Sequence, residues 1–259
     1  MGSGVDFLGL RQKVLDMGLS FKLFQRSARD QAASGKQPWV TAEEAGKVCD
    51  LDAAAQELIV TSNSPSHTTF NDRRCVKVAN IISDMFAPEH FQNRTLVEFG
   101  PGHYSFALLA RHLGATVVCV EYDPALVALG EYLGFVVHNT NLDVITRDFF
   151  GRTFDGLWLK GCFNACRLPD DRAVTRLTEE LTGFLTPDAW GWLVPCNKGK
   201  APVGEDQAAF EARRVSAQTQ AFKELGWTAN ELDHATMRSY ASAYRNAPHI
   251  FTRGLHVSQ

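Results

Sequence analysis

The spacing of apolar residues along the chain changes near residue 93. Before that point apolar side chains recur every three or four residues, which is the period of an amphipathic helix. Thr41 followed by Glu44 has the pattern of a helix capping box. The sequence therefore predicts a helical N-terminal region over residues 1–92. Helices are expected over 7–24, after Thr41, over 52–60 and over 73–86, with a polar, turn-rich connection at 61–69.

From Arg94 onward, short apolar strands alternate with helices, which is typical of a parallel sheet with crossover connections. The clearest helix start is Asp123 followed by Pro124, because aspartate caps a helix and proline suits its first position. Residues 93–259 are thus predicted to form a doubly wound α/β domain. Strands are expected at 95–99, 116–121, 135–138, 154–159, 190–194, 227–232 and 250–257, and helices at 105–113, from Asp123, at 170–185 and at 205–225.

Composition and charge restrict the function classes. The 259 residues carry a net charge of -3, with 45% hydrophobic and 21% charged residues. A protein that grips duplex nucleic acid usually has a basic excess, so we expect no nucleic-acid partner. The sequence has no apolar run of transmembrane length and no signal-peptide layout. We therefore expect a cytoplasmic protein without membrane association.

The six cysteines are scattered, and free thiols are the expected state in a reducing compartment. Cys162 and Cys166 form a Cys-x3-Cys pair. A zinc site needs about four ligands with recognisable spacing, and no second pair accompanies this one. No metal site is predicted.

The strongest chemical motif is Val97-Glu98-Phe99-Gly100-Pro101-Gly102, which lies between a predicted strand and a predicted helix. Gly100 and Gly102 lack a Cβ atom, so a ligand can approach the backbone closely. The following helix presents free N–H groups at its N-terminus. Glu121 ends the next strand, where a carboxylate can accept both hydroxyls of a ribose. Together these features predict a site for a nucleoside-containing cofactor.

These residues resemble the class I S-adenosylmethionine-dependent methyltransferases. Their first motif runs acidic-x-Gly-x-Gly-x-Gly, and their second strand ends in an acid, commonly followed by Asp or Ser and Pro. The chain matches at Glu98, Gly100, Gly102 and Glu121, continued by Asp123 and Pro124, whereas Tyr104 stands where many members have the third glycine. The resemblance covers residues 94–193 and not the first 90. It implies a seven-stranded, mostly parallel sheet with an N-terminal helical cap, and S-adenosyl-L-methionine as cofactor.

A nicotinamide or flavin dinucleotide domain is the competing interpretation. Its fingerprint is Gly-x-Gly-x-x-Gly, and here Ser105 stands in the third place. Pro101 between the glycines, and Glu98 two residues before them, favour the methyltransferase interpretation.

The resemblance also implies which residues form the site. Asn141 and Asp143 follow the third strand and would approach the adenine. The equal alternative is that both residues simply form a turn, since Asn and Asp are common turn residues. Residues 160–166 would rim the pocket where the methyl group is delivered. The predicted cofactor-binding residues are Glu98, Gly100, Pro101, Gly102, Glu121, Tyr122, Asn141, Asp143 and Lys160.

Methyl transfer is a displacement that depends mainly on alignment, so the sequence need not contain an obvious catalytic group. His67 in the polar segment, His103 in the loop and Asn164 are the catalytic candidates. Tyr104, Tyr240 and Tyr244 are further candidates for lining the pocket, on weaker grounds. The alternating Trp158, Trp190 and Trp192 are expected to be core residues rather than a substrate cage.

Several methyltransferase subclasses do not fit. Residues 163–166 read Phe-Asn-Ala-Cys, without the Pro-Pro-aromatic motif of DNA amino-methyltransferases, and residues 160–164 lack carboxylates for Mg²⁺. The motif surroundings of RNA cytosine-5 enzymes are absent around Cys162, Cys166 and Cys196. A small-molecule acceptor is therefore predicted. Aminopropyl or aminobutyl transfer and a non-catalytic partner subunit remain alternatives, and the N-terminal helices are a candidate homodimer interface.

Overall fold

The computed structural model describes residues 38–62, 72–159, 168, 170–193, 201–231 and 249–252. Its strands are β1 (Thr95–Phe99), β2 (Thr116–Glu121), β3 (Val136–Asn139), β4 (Phe154–Leu159), β5 (Leu185–Leu193), β6 (Thr228–Glu231) and β7 (His249–Thr252). They form one seven-stranded sheet in the order β3-β2-β1-β4-β5-β7-β6. The first five strands in this order are parallel, and β7 is antiparallel to both of its neighbours. The predicted fold class, a doubly wound and mostly parallel sheet, is confirmed.

Seven α-helices lie in the described ranges, and two of them start at the caps that the sequence predicted. The Thr41 side chain accepts the Glu44 amide, and the Asp123 side chain accepts the Ala125 amide with Pro124 in the first turn. The helices are α1 (Ala42–Val48), α2 (Ala53–Thr61), α3 (Asp72–Met85), α4 (Ser105–His112), α5 (Pro124–Tyr132), α6 (Asp171–Gly183) and α7 (Gln207–Glu224).

The sheet separates two hydrophobic clusters. Residues of α1 to α5 pack together on one side, where Phe106 stacks on Trp158 and Trp158 stacks on Trp192. Residues of α6 and α7 pack on the other side around Phe184 and Phe222. Trp158, Trp190 and Trp192 are all buried, as expected for core residues.

The first helices dock on the helices that follow β1 and β2. His112 of α4 lies 2.7 Å from the Glu44 carboxylate, between Nε2 and Oε1. The Tyr132 hydroxyl of α5 donates to Asp52 Oδ2 at 2.7 Å. Apolar residues of α1, α2 and α3 belong to the same buried cluster as the sheet. The part of the predicted helical cap that the structure describes is thus packed directly on the two helices next to the glycine loop.

Two predicted boundaries were wrong near β5. The strand was expected to begin at residue 190, but β5 begins at Leu185 because Leu185 already pairs with Phe154. Gly156 then pairs with Trp190, so the extra residues of β5 form a bulge rather than a turn. Helix α6 ends correspondingly early, with Phe184 as its C-cap. The predicted start of β3 at Phe135 was also one residue early, since the Phe135 amide donates to the Gly130 carbonyl instead.

Cys49, Cys75 and Cys119 are buried free thiols, as predicted, and the other three cysteines lie outside the described residues. Burial raises the pKa of the Cys119 thiol well above its ordinary value, which keeps it in the unreactive thiol form. Among the described helices, none has the length and apolar content needed to cross a bilayer. The predicted helix over residues 7–24 lies outside the described ranges.

Candidate cofactor site

The glycine loop lies at the carboxyl end of β1, at the centre of the sheet. Gly100 and Gly102 have φ angles of 63° and 57°, in the left-handed region that glycine enters without steric cost. The Gly100 amide donates to the Val120 carbonyl at 2.9 Å, which continues the β1–β2 pairing past the last paired residue. The loop is thereby fixed beside the end of β2.

Tyr104 has the same backbone conformation as the two glycines, with φ 60° and ψ 20°. Its amide donates to the Pro101 carbonyl, and its own carbonyl accepts the Leu108 amide as the first bond of α4. Residues 100, 102 and 104 therefore alternate in left-handed geometry, in register with the three glycines of the related motif. The sequence marked Tyr104 as a departure from that motif and as a weaker pocket candidate, and its left-handed conformation was not predicted, although the position itself indicated it.

Glu98, the acid of the motif, is buried in β1, and its Oε2 accepts the Ala107 amide at 3.0 Å. This bond uses one of the N–H groups that the first turn of α4 leaves without an intrahelical acceptor. It ties the end of β1 to the helix across the loop, so Glu98 supports the loop from behind. A direct contact between Glu98 and a cofactor stays a prediction.

Glu121 ends β2 and turns back onto the loop. Its Oε1 accepts the Tyr122 amide at 2.8 Å and the Asp123 amide at 3.1 Å, and its carboxylate is also hydrogen-bonded to the Gly102 amide. Burial raises the pKa of the Glu121 carboxyl above its ordinary value of 4.5, while these amide donors oppose the rise. The structure thus brings Glu121 and Gly102 together, and cofactor binding by these two residues stays a prediction.

The other predicted cofactor-binding residues that the structure describes differ in how far they are buried. Pro101 is buried in the loop, whereas Tyr122 is 61% exposed directly after Glu121. Asn141 and Asp143 are exposed beside the 3₁₀ turn Leu142–Val144, which follows β3. Their side chains are available to a ligand at the carboxyl ends of β2 and β3, and such a contact stays a prediction.

Of the catalytic candidates, His103 is described and is buried inside the loop. His67, Asn164 and Lys160 lie outside the described residues, as do Tyr240 and Tyr244. Within the part of the chain that the structure describes, no group of three or more His, Cys, Asp or Glu side chains could hold a metal ion.

Two thiols lie behind the start of α4. Cys49 Sγ is 3.8 Å from the Ser105 carbonyl and Cys75 Sγ is 3.4 Å from the Ser105 hydroxyl. A hydrogen bond with Cys75, together with burial, raises the pKa of the Cys49 thiol far above its ordinary value. Both groups are therefore packing residues that fix α1 and α3 against the helix after the loop.

Comparison with known proteins gives similar folds at low sequence identity. No protein-family model and no curated protein matches this sequence. Magnesium protoporphyrin IX methyltransferase from Synechocystis, solved with bound S-adenosylmethionine, is 9% identical with a TM-score of 0.49, covering 70% of this chain and 80% of its own. An S-adenosylmethionine-dependent methyltransferase from Mesorhizobium loti is 14% identical with a TM-score of 0.47, covering 68% and 98% of the two chains. The plantazolicin methyltransferase, solved with S-adenosylhomocysteine, is 10% identical with a TM-score of 0.44, covering 81% and 96%. At sequence identities this low, the similarity concerns the fold alone.

Proposed function

We propose that this protein is an S-adenosylmethionine-dependent methyltransferase that acts on a small-molecule acceptor. The observation that carries the proposal is the joint geometry of the loop and Glu121. Three left-handed residues at positions 100, 102 and 104 bend the chain at the end of β1. The Gly102 amide meets the buried carboxylate at the end of β2. In open parallel sheets, ligands bind at the carboxyl ends of the strands where the strand order reverses, and here the order reverses between β1 and β4, so the loop at the end of β1 borders that crevice.

The residues present fit this cofactor. The glycine positions allow close approach of a ligand to the loop backbone, and the Glu121 carboxylate suits a pair of ribose hydroxyls. Tyr122 offers an exposed aromatic ring next to that carboxylate, and Asn141 and Asp143 add polar groups near the end of β3. S-adenosylmethionine would use all three kinds of contact: backbone for its methionine part, carboxylate for its ribose and an aromatic or polar lining for its base.

The cofactor supplies an activated methyl group on a sulfonium sulfur. Residues of the chain then have to hold the acceptor nucleophile in line with that methyl group and exclude water, because alignment provides much of the rate. If the nucleophile is protonated at neutral pH, a base must remove its proton. His103, which is buried inside the loop, is the proposed candidate for this role, and His67 and Asn164 are the other candidates for contact with the acceptor.

The proposal of a small-molecule acceptor rests on the net charge of the protein. The net charge of -3 gives no basic excess for a phosphate backbone, and a cytoplasmic metabolite fits a protein of this composition. Transfer of an aminopropyl or aminobutyl group from the same cofactor would use the same loop. A non-catalytic partner subunit would bind the cofactor without turnover.

Calorimetric titration of the purified protein with S-adenosylmethionine and with NAD tests the cofactor. We expect binding of S-adenosylmethionine, a loss of about tenfold or more in Glu121→Ala, because hydrogen bonds to charged groups are strong, and little change in Glu131→Ala. Glu131 is a matched control because it is an exposed acid on α5. Binding of NAD instead, or unchanged affinity in Glu121→Ala, would contradict the proposal.

Product analysis then tests the reaction. The protein is incubated with S-adenosylmethionine and fractions of small molecules from a cell extract. S-adenosylhomocysteine as the product supports methyl transfer, whereas methylthioadenosine indicates aminopropyl or aminobutyl transfer. Binding without turnover in any fraction supports the partner-subunit alternative.

A further inference from the structure

Tyr104 occupies a backbone conformation that side chains rarely adopt. Its φ of 60° puts a residue with a Cβ atom in left-handed geometry, where that atom approaches the carbonyl oxygen that follows. Such strain persists when surrounding contacts hold the residue in place, and it is most common at functional sites. The contacts that hold Tyr104 therefore indicate what the strained residue does.

The ring and the hydroxyl of Tyr104 contact the α5 helix and the residue before β3. The Tyr104 ring is fully buried and stacks on Phe135 at 5.6 Å between ring centroids, with 16° between the planes. Its hydroxyl donates to the Leu126 carbonyl in the first turn of α5 at 2.8 Å. Gly130, one helical turn further along α5, leaves the space in which the phenol ring lies. The side chain thus reaches from the glycine loop to α5 and to the residue before β3.

The two elements that Tyr104 joins carry the two halves of the proposed cofactor site. The glycine loop belongs to the β1–α4 unit, and Glu121 and Tyr122 belong to the β2–α5 unit. Helix α5 begins at Pro124, three residues after Glu121, so the position of its first turn sets the position of the carboxylate. A tyrosine that fixes the loop to this turn also fixes the distance between the loop and the ribose-binding carboxylate.

We infer that Tyr104 is a positioning residue, which sets the loop and Glu121 at the spacing that a whole adenosyl–amino-acid cofactor requires. This inference rests on the proposed function, since it concerns the binding of the same cofactor. Where related loops use a third glycine, this chain uses a strained tyrosine and gains a fixed link to α5. A ligand that spans both halves depends on that link, whereas a ligand that uses the Glu121 half alone does not.

The test compares S-adenosylhomocysteine, which spans both halves, with adenosine, which carries the ribose and base alone. Tyr104→Phe removes the hydrogen bond to Leu126 and keeps the ring. We expect its affinity for S-adenosylhomocysteine to fall roughly three- to tenfold, as for one hydrogen bond, while its affinity for adenosine stays within about twofold of wild type. The melting temperature of the variant without ligand is measured in parallel.

Tyr104→Gly is the second variant, because it removes the ring and the strain together. We expect a larger loss of S-adenosylhomocysteine affinity and faster hydrogen exchange at residues 100–104. The control is Phe222→Leu, a buried aromatic that stacks on Phe251 on the opposite side of the sheet. This control is expected to lower the melting temperature without changing the ratio of the two affinities.

The outcomes separate the two proposals. If wild type binds neither ligand, the proposed function itself is wrong. If wild type binds both and Tyr104→Phe loses affinity for both equally, or for neither, Tyr104 is a packing residue and the positioning role is refuted. A selective loss for S-adenosylhomocysteine, absent from Phe222→Leu, supports it.

Discussion

Gly130 of α5 lies directly against the Tyr104 side chain, at a point where no other residue would fit. A Cβ atom added at Gly130 would overlap the Tyr104 hydroxyl and ring, and would lie 2.6 Å from Val137 Cγ2. Glycine in a helix interior is ordinarily destabilising relative to alanine. Its presence here is explained by the buried phenol that crosses the helix at this position.

Gly130→Ala is therefore expected to destabilise the protein, against the usual effect of removing a helical glycine. Overpacking of a filled core costs about 1–3 kcal/mol, and the phenol ring cannot move because Phe135 and Leu126 hold it. Gly46→Ala is the matched control: Gly46 lies within α1 and nothing is within 4 Å of its added Cβ, so this change should stabilise by about 0.5–1 kcal/mol. Urea denaturation measures both.

A double variant tests whether Gly130 contacts the Tyr104 side chain that joins the glycine loop to α5. In a Tyr104→Ala background the overlap with the phenol is gone and only the close approach to Val137 remains, so the cost of Gly130→Ala should shrink and the two changes should not be additive. Additive costs would mean that the two residues are not in contact.

The predictable part of the fold was the part with local causes. Asp123 and Pro124 specify a helix start through their own side chains, and the structure begins α5 at Pro124 with Asp123 as the cap. The bulge in β5 was missed because it depends on the pairing of Leu185 with Phe154 on another strand, which no pattern within residues 184–193 reveals. Propensity and period describe neighbours along the chain, and a bulge is decided by neighbours across the sheet.

The same distinction between local and long-range causes applies to the candidate site. Gly100, Gly102 and Glu121 were identified from their spacing, and the structure brings Gly102 and Glu121 into contact. The attachment of Tyr104 was missed because its partner Leu126 is 22 positions away on another helix. His67 and Asn164, proposed for the acceptor side, lie outside the described residues.

Glu121→Gln is expected to raise stability at neutral pH while weakening cofactor binding. Because burial raises the folded-state pKa of Glu121, the native state favours the protonated carboxyl. Its contribution to stability is fully present below the ordinary pKa of 4.5 and is lost as the pH rises through the folded-state pKa. The glutamine variant avoids this loss, so its advantage over wild type should appear above pH 4.5 and vanish below it.

The measurement is urea denaturation from pH 4 to pH 8, with Glu131→Gln as the control because Glu131 is exposed on α5. Affinity for S-adenosylmethionine should fall about tenfold in Glu121→Gln, since an amide oxygen accepts more weakly than a carboxylate. A variant that is less stable than wild type at pH 7 would show that the three amide donors outweigh the cost of burying the charge.

Asp52 links α2 to α5 through its hydrogen bond from the Tyr132 hydroxyl. Protonation of the Asp52 carboxylate at low pH should weaken this link. A hydrogen bond from the Ala55 amide, and a second from the Tyr132 hydroxyl, lower the pKa of the Asp52 carboxyl below its ordinary 3.8. The stability that it contributes is therefore present above pH 3.8 and lost as the pH falls through the lower folded-state pKa. Asp52→Asn should be less stable than wild type at pH 7 and equal to it at the acid end.

Two variants separate the parts of this effect. Tyr132→Phe removes the link to α5 and leaves the helix cap, so its loss should be smaller than that of Asp52→Ala. Asp50→Asn makes the same charge change two residues away in an exposed position and should have little effect at any pH. Thermal denaturation from pH 2.5 to pH 7 gives the comparison, and a pH-independent difference for Asp52→Asn would count against the role of its charge.

Two glycines on adjacent strands should differ in their tolerance of alanine. A Cβ atom at Gly156 of β4 would lie 2.5 Å and 2.7 Å from atoms of the Trp190 ring and 2.8 Å from Leu96 Cδ2. Trp190 cannot shift, because Phe86 packs on it at 4.6 Å between ring centroids and its indole N–H donates to the His90 carbonyl. Gly156→Ala should therefore cost about 1–3 kcal/mol.

Gly191 of β5, in register with Leu157, is the matched comparison. Its added Cβ would lie 3.5 Å from Phe251, which is ordinary contact, so Gly191→Ala should stay within about 0.5 kcal/mol of wild type. Urea denaturation followed by tryptophan fluorescence measures both, and equal costs at the two positions would mean that β4 and β5 do not pack around Trp190 as described.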